Sequence, residues 1–171
     1  MPLYRSLPGL EEMKRVSKVL LNEDRRSPLP VNFTDSRKYT VHTLHSTTPV
    51  AEQREVFQPA PDGVQRIILA TNIAETSVTI PGTTVVVDSG RAKLKIYDPS
   101  RHVSALVTSW AGSANLDQRA GRAGRERPGD YYAVFGTRRL QTLRPHQVVE
   151  MLRLDLSEVV MHVKGESQSG T

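Results

Sequence analysis

An α/β fold built on a parallel sheet is what this chain predicts, and three observations predict it. Short β-branched runs recur along it, "QRIILAT", "TVVVDSG" and "YYAVF", each bounded by turn residues in the manner of buried strands. Stretches of helical period lie between them. Strands separated by helices imply a parallel sheet, and such a sheet is covered on both faces.

The elements follow in order. In "LPGLEEMKRVSKVLL", Leu10, Met13, Val16, Val19 and Leu20 fall at or near spacings of three and four, one face of a helix. Asn22 to Lys38 is polar and carries two prolines, a loop. Tyr39 to His45 has strand character. "TTPVAEQREVF" is helical, with Pro49 at its first turn, and the turn residues of "PAPDG" end it. The strand "QRIILAT" comes next, then "TVVVDSG", and later Tyr131 to Phe135.

One segment breaks the alternation. From Arg91 to Trp110 there is no helical period. Arg91, Lys93, Lys95 and Tyr97 alternate with Ala92, Leu94 and Ile96, "DPSR" supplies a turn, and Val103, Ala105 and Val107 share a face on return. This is a β-hairpin with a basic side. Two readings are open: an edge ribbon kept soluble by its lysines, or a projection that meets an anion.

Composition narrows the function classes. At 171 residues the chain suits one domain, or one with part of a second, and can bury a core. A net charge of +5 favours an anionic partner, though weakly. With no cysteine there is neither a disulfide framework nor a thiolate zinc site. His42, His45 and His102 lack metal-ligand spacing, so no metal is expected on this chain. No apolar run reaches the roughly 18 residues of a membrane span and none resembles a signal peptide, so a nuclear or cytoplasmic location is expected.

"LDQRAGRAGR" carries three arginines and a glutamine separated by small residues. Two glycines in such a window disfavour a helix by up to about 1 kcal/mol each. Set on a helix, Gln118, Arg122 and Arg125 share a sector of roughly 60°. Ala120, Gly121, Ala123 and Gly124 take the other side, and Arg119 points away from the trio. Guanidinium forks match phosphate oxygens, above all where charge gathers during a phosphoryl transfer. The plainer alternative is a surface helix whose arginines meet water.

A second cluster, "ATNIAETSVTI", follows the strand "QRIILAT", at the sheet edge where ligands of open α/β sheets collect. Thr71, Asn72, Thr76, Ser77 and Thr79 crowd this turn with hydroxyls and an amide. By themselves such residues are more often helix caps than a phosphate cradle.

Read together, the stretches resemble the second RecA-like domain of superfamily 2 helicases, specifically the DEAH-box RNA helicases. "TNIAETSVTI" resembles motif V and "QRAGRAGR", Gln118 to Arg125, motif VI. "VVVDSG" is similar to the segment after motif V, "LHSTTPVAEQREVF" to the segment before it, and "LPGLEEM" to the motif IV region. The likeness runs from about Leu7 to Lys164 and includes a long hairpin between motifs V and VI.

The resemblance implies a P-loop NTPase-type parallel sheet and ATP-dependent work on RNA. By it, Gln118 helps position the attacking water while Arg122 and Arg125 reach the γ-phosphate. Thr71 and Asn72 grip the RNA backbone, Thr79 lies near the nucleotide, Ser46 and Thr47 touch RNA phosphates, and the hairpin acts as a wedge. The implied cofactor is ATP or another NTP, with Mg²⁺ held by a first RecA-like domain, which is the implied partner besides RNA; no membrane is involved. Residues 1–140 form the RecA-like domain, and 141–171 open a winged-helix domain with a polar tail.

The departures are specific. The chain has no GxxxxGK[ST] loop and no DEAH tetrapeptide, so by itself it is not expected to turn over ATP. A non-catalytic module that binds RNA or a protein is the alternative function; a DNA helicase of the same superfamily is a further one. Arg5 and Ser6 interrupt what the family has as a strongly apolar first strand, so a truncated or missing strand is expected. Arg91 stands where relatives often place an aromatic residue that stacks on the base.

Overall fold

A computed structural model describes residues 3–21, 30–58, 60–71 and 80–168; for 158–159 and 165–168 it describes the backbone alone. The elements are β1 Leu3–Ser6, α1 Leu10–Leu20, β2 Tyr39–Leu44, α2 Val50–Phe57, β3 Gln65–Ala70 and β4 Val85–Asp88. There follow β5 Arg91–Asp98, β6 Val103–Trp110, α3 Ser113–Ala120, β7 Asp130–Ala133, a single turn α4 Thr137–Leu140, a 3₁₀ turn at Glu150–Leu152, and α5 Ser157–Gln168. Of the expected loop, the described part from Pro30 to Lys38 is irregular, pinned by Asn32 and Asp35 side chains that accept nearby backbone N–H groups.

Five strands form one sheet in the order β2-β3-β1-β4-β7, every pair parallel. This is the expected α/β architecture of RecA-like type, with the two-stranded β5–β6 ribbon standing apart from the sheet. The expectation of a missing first strand is overturned. β1 lies at the centre, with Tyr4 opposite Ile68 on one side and Val86 on the other. Ser6 tolerates its place because it is small, 1% exposed and paired through its backbone to both neighbours. Arg5 points to the other face, half-buried, and desolvation lowers its pKa.

Alternation along β3 divides the core. Ile68 and Ala70 pack with Tyr4, Leu44, Val56, Val86 and Ala123 on one face, while Ile67 and Leu69 pack with Leu7 and Met13 on the other. α2 thus covers one face and α1 the opposite one, as a parallel sheet requires. Pro49 precedes α2 as its cap rather than sitting inside its first turn.

The hairpin is found as expected, in register from Arg91 opposite Trp110 to Asp98 opposite Val103. Its root is buried at Ala92, but Ile96, Val103 and Leu106 toward its tip are exposed. The C-terminal segment braces it: Tyr97 N–H donates to the Arg153 carbonyl at 2.8 Å, and Arg153 Nη1 donates to the Lys95 carbonyl at 2.8 Å.

Candidate functional site

The carboxyl ends of the parallel strands gather part of the expected site. Ser46 and Thr47 follow β2 and are exposed. Thr71 follows β3, 7% exposed, and its N–H donates to the Leu44 carbonyl at 3.2 Å. β2 and β3 are neighbours, so these three residues share one edge of the sheet. The loop after β2 is held by its own side chains. Thr48 Oγ1 accepts the His45 N–H at 2.9 Å, and His45 Nδ1 accepts the Thr47 N–H at 3.3 Å. Asn72 and Thr79, with Thr76 and Ser77, lie outside the described residues.

The arginine-rich stretch differs from the expected helix. α3 ends at Ala120, and Gly121 to Gly124 continue as turns in which Arg122 and Ala123 donate to carbonyls three residues back. Two glycines within four residues explain the early stop, since glycine gives up more backbone freedom in a helix than any other residue. The expected face of small residues is only half present. Ala123 is buried with Leu116, whereas Gly121 and Gly124 are exposed. Gln118 and Arg125 are exposed and Arg122 half-buried. Gln118 lies on the regular helix and the two arginines on the turns beyond it, so no common helical face holds all three.

What anchors α3 is the residue the helical wheel set aside. Arg119 is 1% exposed, and its Nη1 meets Asp88 Oδ1, the last residue of β4, at 2.8 Å. Asp88 is fully buried and accepts three donors. Besides Arg119 they are the Gly90 N–H at 2.8 Å and the Tyr131 hydroxyl at 2.9 Å. Burial, and then the Asp88 charge, raise the Tyr131 pKa well above its ordinary value. Arg119 also donates to the Arg91 carbonyl at 3.3 Å, so this one guanidinium ties α3 to both β4 and the hairpin root. A signal was available, since an acid at the end of an apolar strand must find a partner.

From Arg119 the chain descends along β4. Ala123 packs beside Gly129 and Thr84, where a Cβ on Gly129 would collide with both carbonyls. Thr84 precedes the first residue of β4, whereas Asp88 ends it. The arginine-rich turns thus run beside β4, with Ala123 in the core cluster that includes Leu44 and Ala70, whereas Ser46, Thr47 and Thr71 follow β2 and β3.

Arg91 is engaged within the chain. Its guanidinium lies 4.4 Å from the Trp110 ring centre, Arg139 lies 4.8 Å from that ring, and Phe135 meets it edge-on at 5.8 Å. Gly90, at φ +67°, gives the Phe135 ring room that a Cβ would take.

Comparison with known proteins agrees with this geometry. Residues 4–127 match the helicase conserved C-terminal domain. The chain is 43% identical over 158 residues to the DExH-box ATP-dependent RNA helicase DExH2 of Arabidopsis thaliana, covering 92% of itself and 10% of that protein. To the human ATP-dependent RNA helicase DHX30 it is 42% identical over 158 residues, 92% of the chain and 13% of the relative. Among solved structures, that of the E. coli DExH-box NTPase HrpB superposes with a TM-score of 0.81 at 32% identity, over 95% of this chain and 19% of that one. The chain thus spans about a tenth of the curated relatives' length. The sheet order, the hairpin between strand and arginine-rich segment, and these matches together show that the chain belongs to the helicase conserved C-terminal domain family, in its DExH-box RNA helicase branch.

Proposed function

We propose that the chain is the second motor domain of an ATP-dependent RNA helicase. In this reading Gln118 orients the attacking water and Arg122 and Arg125 stabilise charge on the transferring phosphoryl group. Ser46, Thr47 and Thr71, with Asn72, hold the RNA backbone, and Thr79 lies near the nucleotide. The supporting observation is the anchored helix: Arg119, locked on Asp88, immediately follows Gln118 and precedes Arg122 by three residues. A fixed mount matters because preorganised donors need no rearrangement as charge develops.

The chain's own contribution to a triphosphate is cationic. Among the described residues, no group of three His, Cys, Asp or Glu could hold a metal ion. In this reading Mg²⁺ and the phosphate cradle belong to a first RecA-like domain, and the present domain supplies the fingers across the cleft. Residues 141–171 open a winged-helix domain in the same reading. Contacts at Ser46, Thr47 and Thr71 would position RNA without reading its sequence.

The test is Arg125→Ala in the intact protein. RNA-stimulated ATP hydrolysis should fall by roughly 10³-fold or more, the scale of arginine fingers elsewhere, while RNA binding is kept. Unchanged turnover would remove the finger role. RNA binding by an intact protein that hydrolyses no ATP would favour the binding-module alternative.

A further inference from the structure

A groove of about 300 Å³ runs between α1 and the carboxyl end of β2, lined by Met13, Lys14, Ser17 and Lys18 from the helix and by Thr43 and His45 from the strand side. Its apolar part comes from Leu10, which is 36% exposed. Its rim is cationic. Lys14 and Lys18 are four residues apart and so stand about 6 Å from each other along the helix axis. Like charges at this spacing repel weakly, and nothing in the packing of α1 requires either of them, as both are exposed. The carboxylate nearest Lys14 is that of Glu11 at 3.3 Å, in a pair with side chains 58% and 67% exposed. Such a pair opens readily to a stronger anion.

His45 joins this groove to the loop after β2. Its Nδ1 accepts the Thr47 N–H at 3.3 Å and lies 2.9 Å from the Thr47 hydroxyl. A ring nitrogen that accepts a backbone N–H carries no proton, so the neutral ring has its proton on Nε2. The histidine that lines the groove thus has Nε2 left to donate, one residue from exposed Ser46.

We propose, on the RNA-motor reading above, that this groove carries the stretch of RNA strand adjoining the Ser46–Thr47 loop. Lys14 and Lys18 take successive phosphates, His45 Nε2 donates to a phosphate or a 2′-hydroxyl, and the apolar surface of Leu10 accepts the sugar or a base edge. Two ammoniums and an imidazole donor beside an apolar surface suit a nucleotide chain, since backbone charge is met at the rim.

The experiment measures binding of a labelled single-stranded oligouridylate to the intact protein across a salt series. The variants are Lys14→Ala/Lys18→Ala, Lys14→Arg/Lys18→Arg and Ser46→Ala/Thr47→Ala. Each phosphate contact on a single strand adds about 0.7 to the slope of log affinity against log salt. The double alanine variant should lose about 1.4 of that slope, and the arginine pair should keep it. Wild-type binding with an unchanged slope in the alanine variant overturns the groove and leaves the RNA reading standing. Absence of RNA binding by the wild type overturns the RNA reading itself. Loss of a polyglutamate ligand instead of RNA would make the groove a protein site and overturn the proposal.

Discussion

Arg119 donates to Asp88 across 2.8 Å with both side chains sealed from solvent, so the arginine-rich segment is fastened to the sheet by an ion pair in the core. A buried pair of this kind adds little when whole, but removing one partner strands the other charge. Arg119→Ala should destabilise the domain by about 3–5 kcal/mol, and adding Asp88→Asn should restore part of the loss. Urea unfolding of the two variants checks this. A loss under about 1 kcal/mol would place the pair with surface salt bridges.

Tyr131 makes the stability of the fold depend on alkaline pH. Its pKa is raised by burial first and by Asp88 next, so the fold favours the protonated phenol. Its stabilising share is complete below the ordinary tyrosine value of about 10 and is lost as pH climbs above it. Tyr131→Phe should flatten the alkaline fall in stability. At neutral pH it should also cost about 1–3 kcal/mol, because one Asp88 oxygen loses its donor at 2.9 Å. Thermal melts from neutral to alkaline pH measure both effects.

Much of the fold is legible because burial leaves a period in the sequence. Ile67 to Ala70 are apolar without a break since both faces of β3 are covered, and the hairpin shows its alternation because one side meets water near the root. β1 departs from expectation for a physical reason. A central strand of four residues is held by backbone bonds to two neighbours, and this outweighs the poor propensity of Arg5 and Ser6. The helix stops short of Arg125 because a wheel assumes continuity that Gly121 and Gly124 do not support. Arg119 stands apart from its neighbours on the wheel, but its role depends on Asp88, 31 residues earlier, and no local period reports such a distant partner.

His42 carries a second pH dependence, opposite in direction. Burial lowers its pKa, the charge of Arg66 lowers it further, and Glu55 raises it somewhat. The fold thus prefers the neutral ring. The unfolded chain takes up the proton first, so stability is complete above about 6.5 and declines as pH falls through that value toward the folded pKa. His42→Gln should flatten the decline. An equally steep acid loss in the variant would assign it to other groups.

Gly90 is a position where substitution should fail outright. Its φ of +67° disfavours any side chain, and a Cβ there would come 2.6 Å from the Phe135 ring. The left-handed backbone alone disfavours alanine by about 1–2 kcal/mol, and the ring contact adds to it. Phe135 must then move from Trp110, which it meets edge-on at 5.8 Å. Gly90→Ala should lower the melting temperature and shift tryptophan fluorescence, since Trp110 is the chain's one tryptophan. Gly136, where an added methyl group would meet nothing within 4 Å, is the control: Gly136→Ala should leave both signals nearly unchanged.

The β5–β6 ribbon separates folding from function most cleanly. It forms its own two-stranded sheet, and Leu106 near its tip is 65% exposed. Replacing Lys95 to Leu106, a register pair, with a two-residue turn leaves the root pairs from Arg91–Trp110 to Leu94–Val107 in place. The five-stranded sheet loses no strand, but the two hydrogen bonds to Arg153 go with the tip, so the melting temperature should fall modestly. Under the motor reading, RNA-stimulated ATP hydrolysis should persist while strand separation is lost, because a wedge does its work on the duplex rather than on the nucleotide. A duplex-release assay run beside a phosphate-release assay distinguishes these outcomes. Full unwinding by the shortened protein would show that the ribbon is an edge kept soluble by its lysines, the plainer reading of its alternating charge.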